Sequence, residues 1–147
     1  MNDKELELLK NYMDNENNES ILDMTTSKIK NNKNFIIQEL PVTVKLKNEL
    51  KKKLKNYRYI DEIDELHIGT YIRWIKIKNN STADLKLTNG GILLDVLFEN
   101  NIYLQIKNNM NQIFKINFNE NLIFQKLTHQ EIVILYAIDN INRLGKE

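Results

Sequence analysis

ILLDVLFENNIYLQIKNNMNQIFKINFNENLIFQKL, residues Ile92–Leu127, is the stretch that decides the fold. Apolar residues recur at every second position, the period of a strand with one face buried. Ile92, Leu94, Val96 and Phe98 share one face, and Asn100-Asn101 supplies a two-residue turn. Ile102, Leu104 and Ile106 then point inward, with Tyr103, Gln105 and Lys107 outward. Asn108–Asn111 turns again, and Phe114, Ile116 and Phe118 face in. Asn119-Glu120-Asn121 makes a third turn before a last strand over Leu122–Leu127. Three successive hairpins predict a meander.

Upstream, LHIGTYIRWIKIK (Leu66–Lys78) adds a strand with a bend at Gly69. Ile72 and Trp74 fall out of phase with Ile75 and Ile77, and a β-bulge between the pairs would turn both sets inward. Asn79–Thr88 reads as a polar loop and Asn89-Gly90-Gly91 as a tight turn. About five strands in so short a stretch must roll up or be covered, because an open apolar face is unstable in water. The fold class expected is therefore α+β: a small antiparallel barrel over 66–127, with helices in an N-terminal arm (1–65) and one C-terminal capping helix (128–147).

That closing helix is predicted over Thr128–Leu144. Thr128 and Glu131 have capping-box spacing, Ile132, Leu135, Tyr136, Ile138 and Ile141 make a broad apolar stripe, and Gly145 ends it. The N-terminal arm begins with a short amphipathic helix in which Leu6, Leu9 and Met13 share a face. Residues 1–24 hold seven acids and two bases, a net of −5. Two readings stand: a solvated, frayed terminus, or a helix that docks on a partner. Thr25 and Thr26 cap a short helix through Lys30, Asn31–Asn34 breaks it, and Phe35–Ile37 is an edge strand or an extended anchor ahead of Pro41.

Val42–Tyr59 is the most basic segment. Lys45, Lys47, Lys51, Lys52, Lys53, Lys55 and Arg58 against Glu49 give a net of +6. Leu46, Leu50 and Leu54, followed by Tyr57, form one apolar helical stripe, leaving the lysines on the other faces. Such a helix is a solvated surface, a phosphate-contacting one, where lysines add sequence-independent affinity by counterion release, or a contact for an acidic partner protein. Asp61, Glu62, Asp64 and Glu65 follow directly and would neutralise it if they folded back. Trp74, beside Arg73 and Tyr71, is either a core aromatic or an exposed one in a ligand groove, and Tyr103 belongs to the same question.

The 147 residues suit one domain with appendages, and 41% hydrophobic and 28% charged residues support a core. A net charge of +1 rules out polyanion binding by the molecule as a whole, so such a role needs a local patch. The absence of cysteine removes disulfides, thiolate metal sites and a cysteine nucleophile. No apolar run approaches the roughly 18–20 residues that span a bilayer, and the charged start lacks a signal-peptide core, so an intracellular protein is expected. His67 and His129 have no metal-ligand spacing, Ser20, Ser27 and Ser81 lie in no nucleophile elbow, and no phosphate-loop or dinucleotide motif occurs. Asp61 and Asp64 have the chemistry for acid–base work, but carboxylates in a charged linker are ordinarily solvated. No enzyme, cofactor or metal is expected.

The glycine bend, polar loop, Gly-Gly turn and meander of Leu66–Leu127 resemble an SH3-like or Tudor-like small barrel. No Tudor aromatic cage matches residue by residue. GTYIRWIKIK (Gly69–Lys78), LTNGGI (Leu87–Ile92) and IFKINFNENLIFQK (Ile113–Lys126) also resemble small uncharacterised proteins of giant and other large nucleocytoplasmic DNA viruses, as does the abundance of Asn, Lys and Ile. That resemblance implies a viral structural or virion-associated protein, located in host cytoplasm or virion, with no catalytic residues to carry over. Two functions are therefore expected to compete. One is a non-catalytic interaction module that docks on other proteins of an assembly, or on itself, through Leu6, Leu9, Met13, Ile132, Leu135 and Tyr136. The other is a nucleic-acid-binding protein using the basic helix with Arg73, Trp74 and Tyr103.

Overall fold

The structure is a computed structural model that describes residues 2–15, 18, 21–22, 24–78 and 85–144, with 143 and 144 described by backbone alone. It comprises α1 (Asp3–Asp14), α2 (Thr26–Gln38), α3 (Val44–Lys53), β1 (Tyr57–Ile60), β2 (Tyr71–Lys76), β3 (Gly91–Phe98), β4 (Ile102–Lys107), β5 (Ile113–Asn117), β6 (Asn121–Lys126) and α4 (His129–Leu144). Short 3₁₀ turns at Ile63–Glu65 and Phe118–Glu120 interrupt the connections. The chain divides into two compact units, residues 1–32 with 127–147, and residues 33–126. The α+β class expected from sequence is present.

All six strands pair antiparallel in the order β1-β6-β2-β3-β4-β5. β1 and β5 are edges with no strand partner among the described residues, so the sheet is open rather than a closed barrel. It is nevertheless coiled. Trp74 on β2 and Phe114 on β5 stand three strands apart, about 14 Å in a flat sheet, yet their ring centroids are 5.9 Å apart. The concave face holds Ile60, Ile72, Trp74, Leu93, Leu104, Ile106 and Ile123, with Phe114 and Ile116 packed against them. On the convex face, Ile75 and Phe124 pack with Ile37, Leu50 and Leu54 of α2 and α3.

This two-sided burial corrects the meander. β3–β4 and β4–β5 are the expected hairpins, but β6 leaves β5 and lies between β1 and β2. Leu122, Ile123 and Phe124 form a run without alternation, and Ile123, Phe124 and Gln125 are all buried. Such a strand is stable only with neighbours and cover on both sides. β2 needs no bulge for the same reason: its register with β6 is continuous, and Ile72 and Trp74 face one core while Ile75 faces the other. The bulge falls instead in β3, between Leu93 and Asp95. It sends Leu93 and Val96 inward and leaves Ile92 on the opposite, exposed face, against the face expected from alternation, while Phe98 lies on the face of Val96 but is exposed at the end of the strand.

Asn89-Gly90-Gly91 is not a hairpin turn. Leu87 bridges Ile75 and Thr88 N–H donates to the Trp74 carbonyl, so this segment runs alongside β2 and slips register by one residue at the glycines. Gly90 takes φ +88°, and a Cβ there would stand 2.3 Å from the Ile72 carbonyl oxygen. The loop expected over Asn79–Thr88 is described only from Leu85 onward.

Helix α2 runs unbroken through Asn31–Asn34 and Phe35–Ile37, where a break and an extended segment were expected. Its buried face is Ile29, Lys33 and Ile37, at i, i+4 and i+8, and the lysine in the middle hides the stripe from a hydrophobicity reading. α3 is capped by the Thr43 hydroxyl, which accepts from Leu46 N–H at 3.2 Å. It ends at Lys53, short of the Arg58 to which the basic helix is expected to run, because Lys33 Nζ donates to the carbonyls of Leu54 (2.7 Å), Lys55 (3.3 Å) and Tyr57 (2.9 Å). The chain then enters β1.

In the helical unit, Leu9, Ile21, Ile29, Ile134, Leu135 and Ala137 form the core. Asn2 caps α1, and Thr128 with Glu131 form the expected capping box of α4 at 2.9 and 3.1 Å. The Gly145 C-cap lies outside the described residues.

Candidate nucleic-acid interface

α3 lays Leu46, Leu50 and Leu54 on the sheet, which turns its lysines to solvent. Lys45, Lys52, Lys53 and Lys55 are exposed, and Lys51 is half-buried. None of the five has an ion-pair or hydrogen-bond partner among the described residues. Lys47 donates to the Gln38 carbonyl at 2.9 Å. Lys51, Lys52 and Lys53 stand in the last turn, where the helix dipole favours positive charge.

The acids that follow do not fold back on them. Glu65 takes the Arg58 guanidinium in an ion pair and accepts from the Asp61 and Glu62 N–H groups at 3.2 and 2.9 Å. Asp61, Glu62 and Asp64 pair with no lysine among the described residues. Residues 33–126 carry fifteen Lys and Arg against ten Asp and Glu, a net of +5, while the remaining residues carry six against ten, a net of −4. The near-neutral total thus conceals a basic sheet unit and an acidic helical unit.

Two expected nucleic-acid contacts are not at the surface. Arg58 is fully buried on the concave side of β1, and Trp74 is 7% exposed in the concave core. Arg73 and Tyr103 are on the convex face. Arg73 Nε donates to the Thr88 carbonyl at 2.8 Å. Lys115 Nζ sits 5.0 Å over the Tyr103 ring and 3.5 Å from Glu99. Beneath α3, burial raises the Tyr57 phenol above its usual range, with Arg73 opposing and Tyr71 adding. Burial likewise raises Tyr59, reinforced by Asp61 and Glu65.

Behind Arg58 lies a polar cluster that alternation did not reveal. Gln125 is wholly buried. Its Oε1 accepts from His67 N–H at 2.8 Å and from the Thr70 hydroxyl at 3.1 Å, and its Nε2 donates to the Glu65 carbonyl at 3.2 Å. It pins the loop between β1 and β2 to β6. The only signal in sequence was a glutamine in an otherwise apolar strand.

Of the residues expected to dock on a partner, Leu9 and Leu135 are buried in the helical core. Leu6, Met13, Ile132 and Tyr136 are exposed, Tyr136 at 67%. No group of three or more His, Cys, Asp or Glu among the described residues has metal-binding geometry, and no described helix is long and apolar enough to cross a membrane. Comparison with family models, with characterised proteins and with solved structures gives no match to this chain.

Proposed function

We propose that the protein is a non-catalytic binding module whose sheet unit holds nucleic acid by its phosphates, with the lysine face of α3 as the contact surface. One observation carries this reading: Glu65 is taken by Arg58 and by backbone N–H groups, and Asp61, Glu62 and Asp64 pair with no lysine among the described residues, so Lys45, Lys51, Lys52 and Lys53 of α3 and Lys55 just beyond it stand without an ion pair. A helix seated on a sheet presents them without a backbone ordering cost at binding. The resemblance to SH3-like and Tudor-like barrels belongs to the same reading, supported by the coiled sheet and its β3–β4–β5 meander.

The test is fluorescence anisotropy with labelled DNA and RNA at two salt concentrations. With four phosphate contacts, affinity should fall about fiftyfold between about 50 and 200 mM salt, from a slope of about −0.7 per contact on a single strand. Replacing Lys51, Lys52 and Lys53 together by Glu should abolish binding. Unchanged affinity would refute the proposed surface.

A second reading rests on Ile132 and Tyr136, one turn apart and exposed on α4. They fit docking on another protein of an assembly, in a virion if the chain is viral. Ile132→Lys with Tyr136→Lys would then dissolve that association and leave nucleic-acid binding intact.

A further inference from the structure

The convex face is only half covered. α3 and the end of α2 pack over Ile75 and Phe124 of β2 and β6, but no outward residue of β3, β4 or β5 belongs to a core cluster among the described residues. Register places Tyr71, Ile92, Lys107 and Ile113 in one row across β2–β5. Tyr103 lies four residues along β4 from Lys107 on the same face, with the Lys115 ammonium 5.0 Å over its ring. Ile113 is 58% and Ile92 42% exposed. Arg73 stands between the covered and open halves, close enough to Tyr57 to act on its phenol, and beyond the Nε bond its guanidinium makes no hydrogen bond or ion pair among the described residues. The two acids there are already engaged, Asp95 by Val96 N–H at 2.8 Å and Glu99 by Lys115.

We infer that this open half of the sheet is a stacking platform for the unpaired bases of a single-stranded nucleic acid. The inference rests on the phosphate-binding reading and deepens it. Flat aromatic and apolar groups interleaved with cations suit bases whose faces are free, and a duplex keeps those faces stacked inside. The platform and the lysines of α3 lie on the same side of the sheet, because α3 packs on that convex face. A strand crossing from helix to platform would set phosphates on α3, pass Arg73, and lay bases on Tyr71 and Tyr103. A peptide would be the alternative occupant, and it would not distinguish nucleic acid with bases from nucleic acid without them.

The experiment compares a labelled oligothymidine of about twelve nucleotides, an abasic strand of equal length and a duplex, by anisotropy at about 50 mM salt. The intact protein, Tyr103→Ala, Tyr103→Phe and the triple Lys51, Lys52, Lys53→Glu variant are each titrated. Oligothymidine should bind more tightly than the abasic strand or the duplex. Tyr103→Ala should weaken oligothymidine roughly ten- to a hundredfold and leave the abasic strand unchanged, while Tyr103→Phe should bind as the intact protein does. Equal binding of oligothymidine and abasic strand, or no effect of Tyr103→Ala, would overturn the platform. If the triple variant still loses binding in that case, the phosphate-binding reading survives alone. Binding of no strand at all would overturn both.

Discussion

Replacing Lys33 by Met should destabilise the sheet unit by about 3 kcal/mol. Lys33 is 5% exposed, and its ammonium donates to three carbonyls at the end of α3. Met keeps the length and volume of the side chain, so the change removes the donor with little cavity. The bond to Leu54 is buried, and stranding that carbonyl costs about 1–3 kcal/mol. The Lys55 and Tyr57 bonds are part-buried and worth roughly 0.5–1.5 kcal/mol each. Relief from burying the ammonium offsets part of the total, which leaves a net of about 2–4 kcal/mol. Trp74, enclosed beside Phe114, reports the sheet unit directly, so urea unfolding can be followed by its emission. The midpoint should fall with the slope unchanged. A variant within about 0.5 kcal/mol of the parent would refute the claim that Lys33 terminates α3 and joins it to β1.

Gln125→Leu strands the His67 N–H and the Glu65 carbonyl; it should cost about 2–3 kcal/mol and speed hydrogen exchange at the His67 amide, which an unchanged exchange rate would disprove. Gly90→Ala combines a positive φ with a Cβ driven into the Ile72 carbonyl, so a loss of about 2 kcal/mol or more is expected from urea melts, and a neutral result would rule out the register slip there. Tyr57 and Tyr59 have raised pKa values, so the unfolded chain ionises first as pH rises; the stability held by the neutral phenols is complete below pH about 10 and is lost as pH climbs through the folded values. Replacing both by Phe should therefore flatten the alkaline limb of a stability–pH curve and leave neutral pH nearly unaffected; an unchanged limb would count against the burial argument.

Much of the site was legible as composition and little of it as geometry. The lysines of α3 stand out in any reading of residues 45–55, and the Leu46, Leu50 and Leu54 stripe correctly predicts which side they occupy. Whether Glu65 would neutralise them depended on Arg58, which reads as one more cation of the basic run. Only the turn into β1 buries it and gives it Glu65 as partner. Trp74 and Tyr103 are equally ambiguous in sequence. Facing opposite sides of one coiled sheet separates them into core and surface.

The sequence by itself determined the α+β class, the strands β3, β4 and β5 and their hairpin order, the amphipathic α3 and the capped start of α4. Each depends on side chains within a few residues of one another, where period and capping chemistry are decisive. The tertiary structure alone decided that α2 runs through an asparagine-rich stretch, that β1 exists, that β6 lies between β1 and β2, and that the sheet coils without closing. Those outcomes depend on what meets each segment from far along the chain. A strand buried on both faces shows no alternation, and a buried lysine satisfied by distant carbonyls looks, in a one-dimensional reading, like a polar interruption.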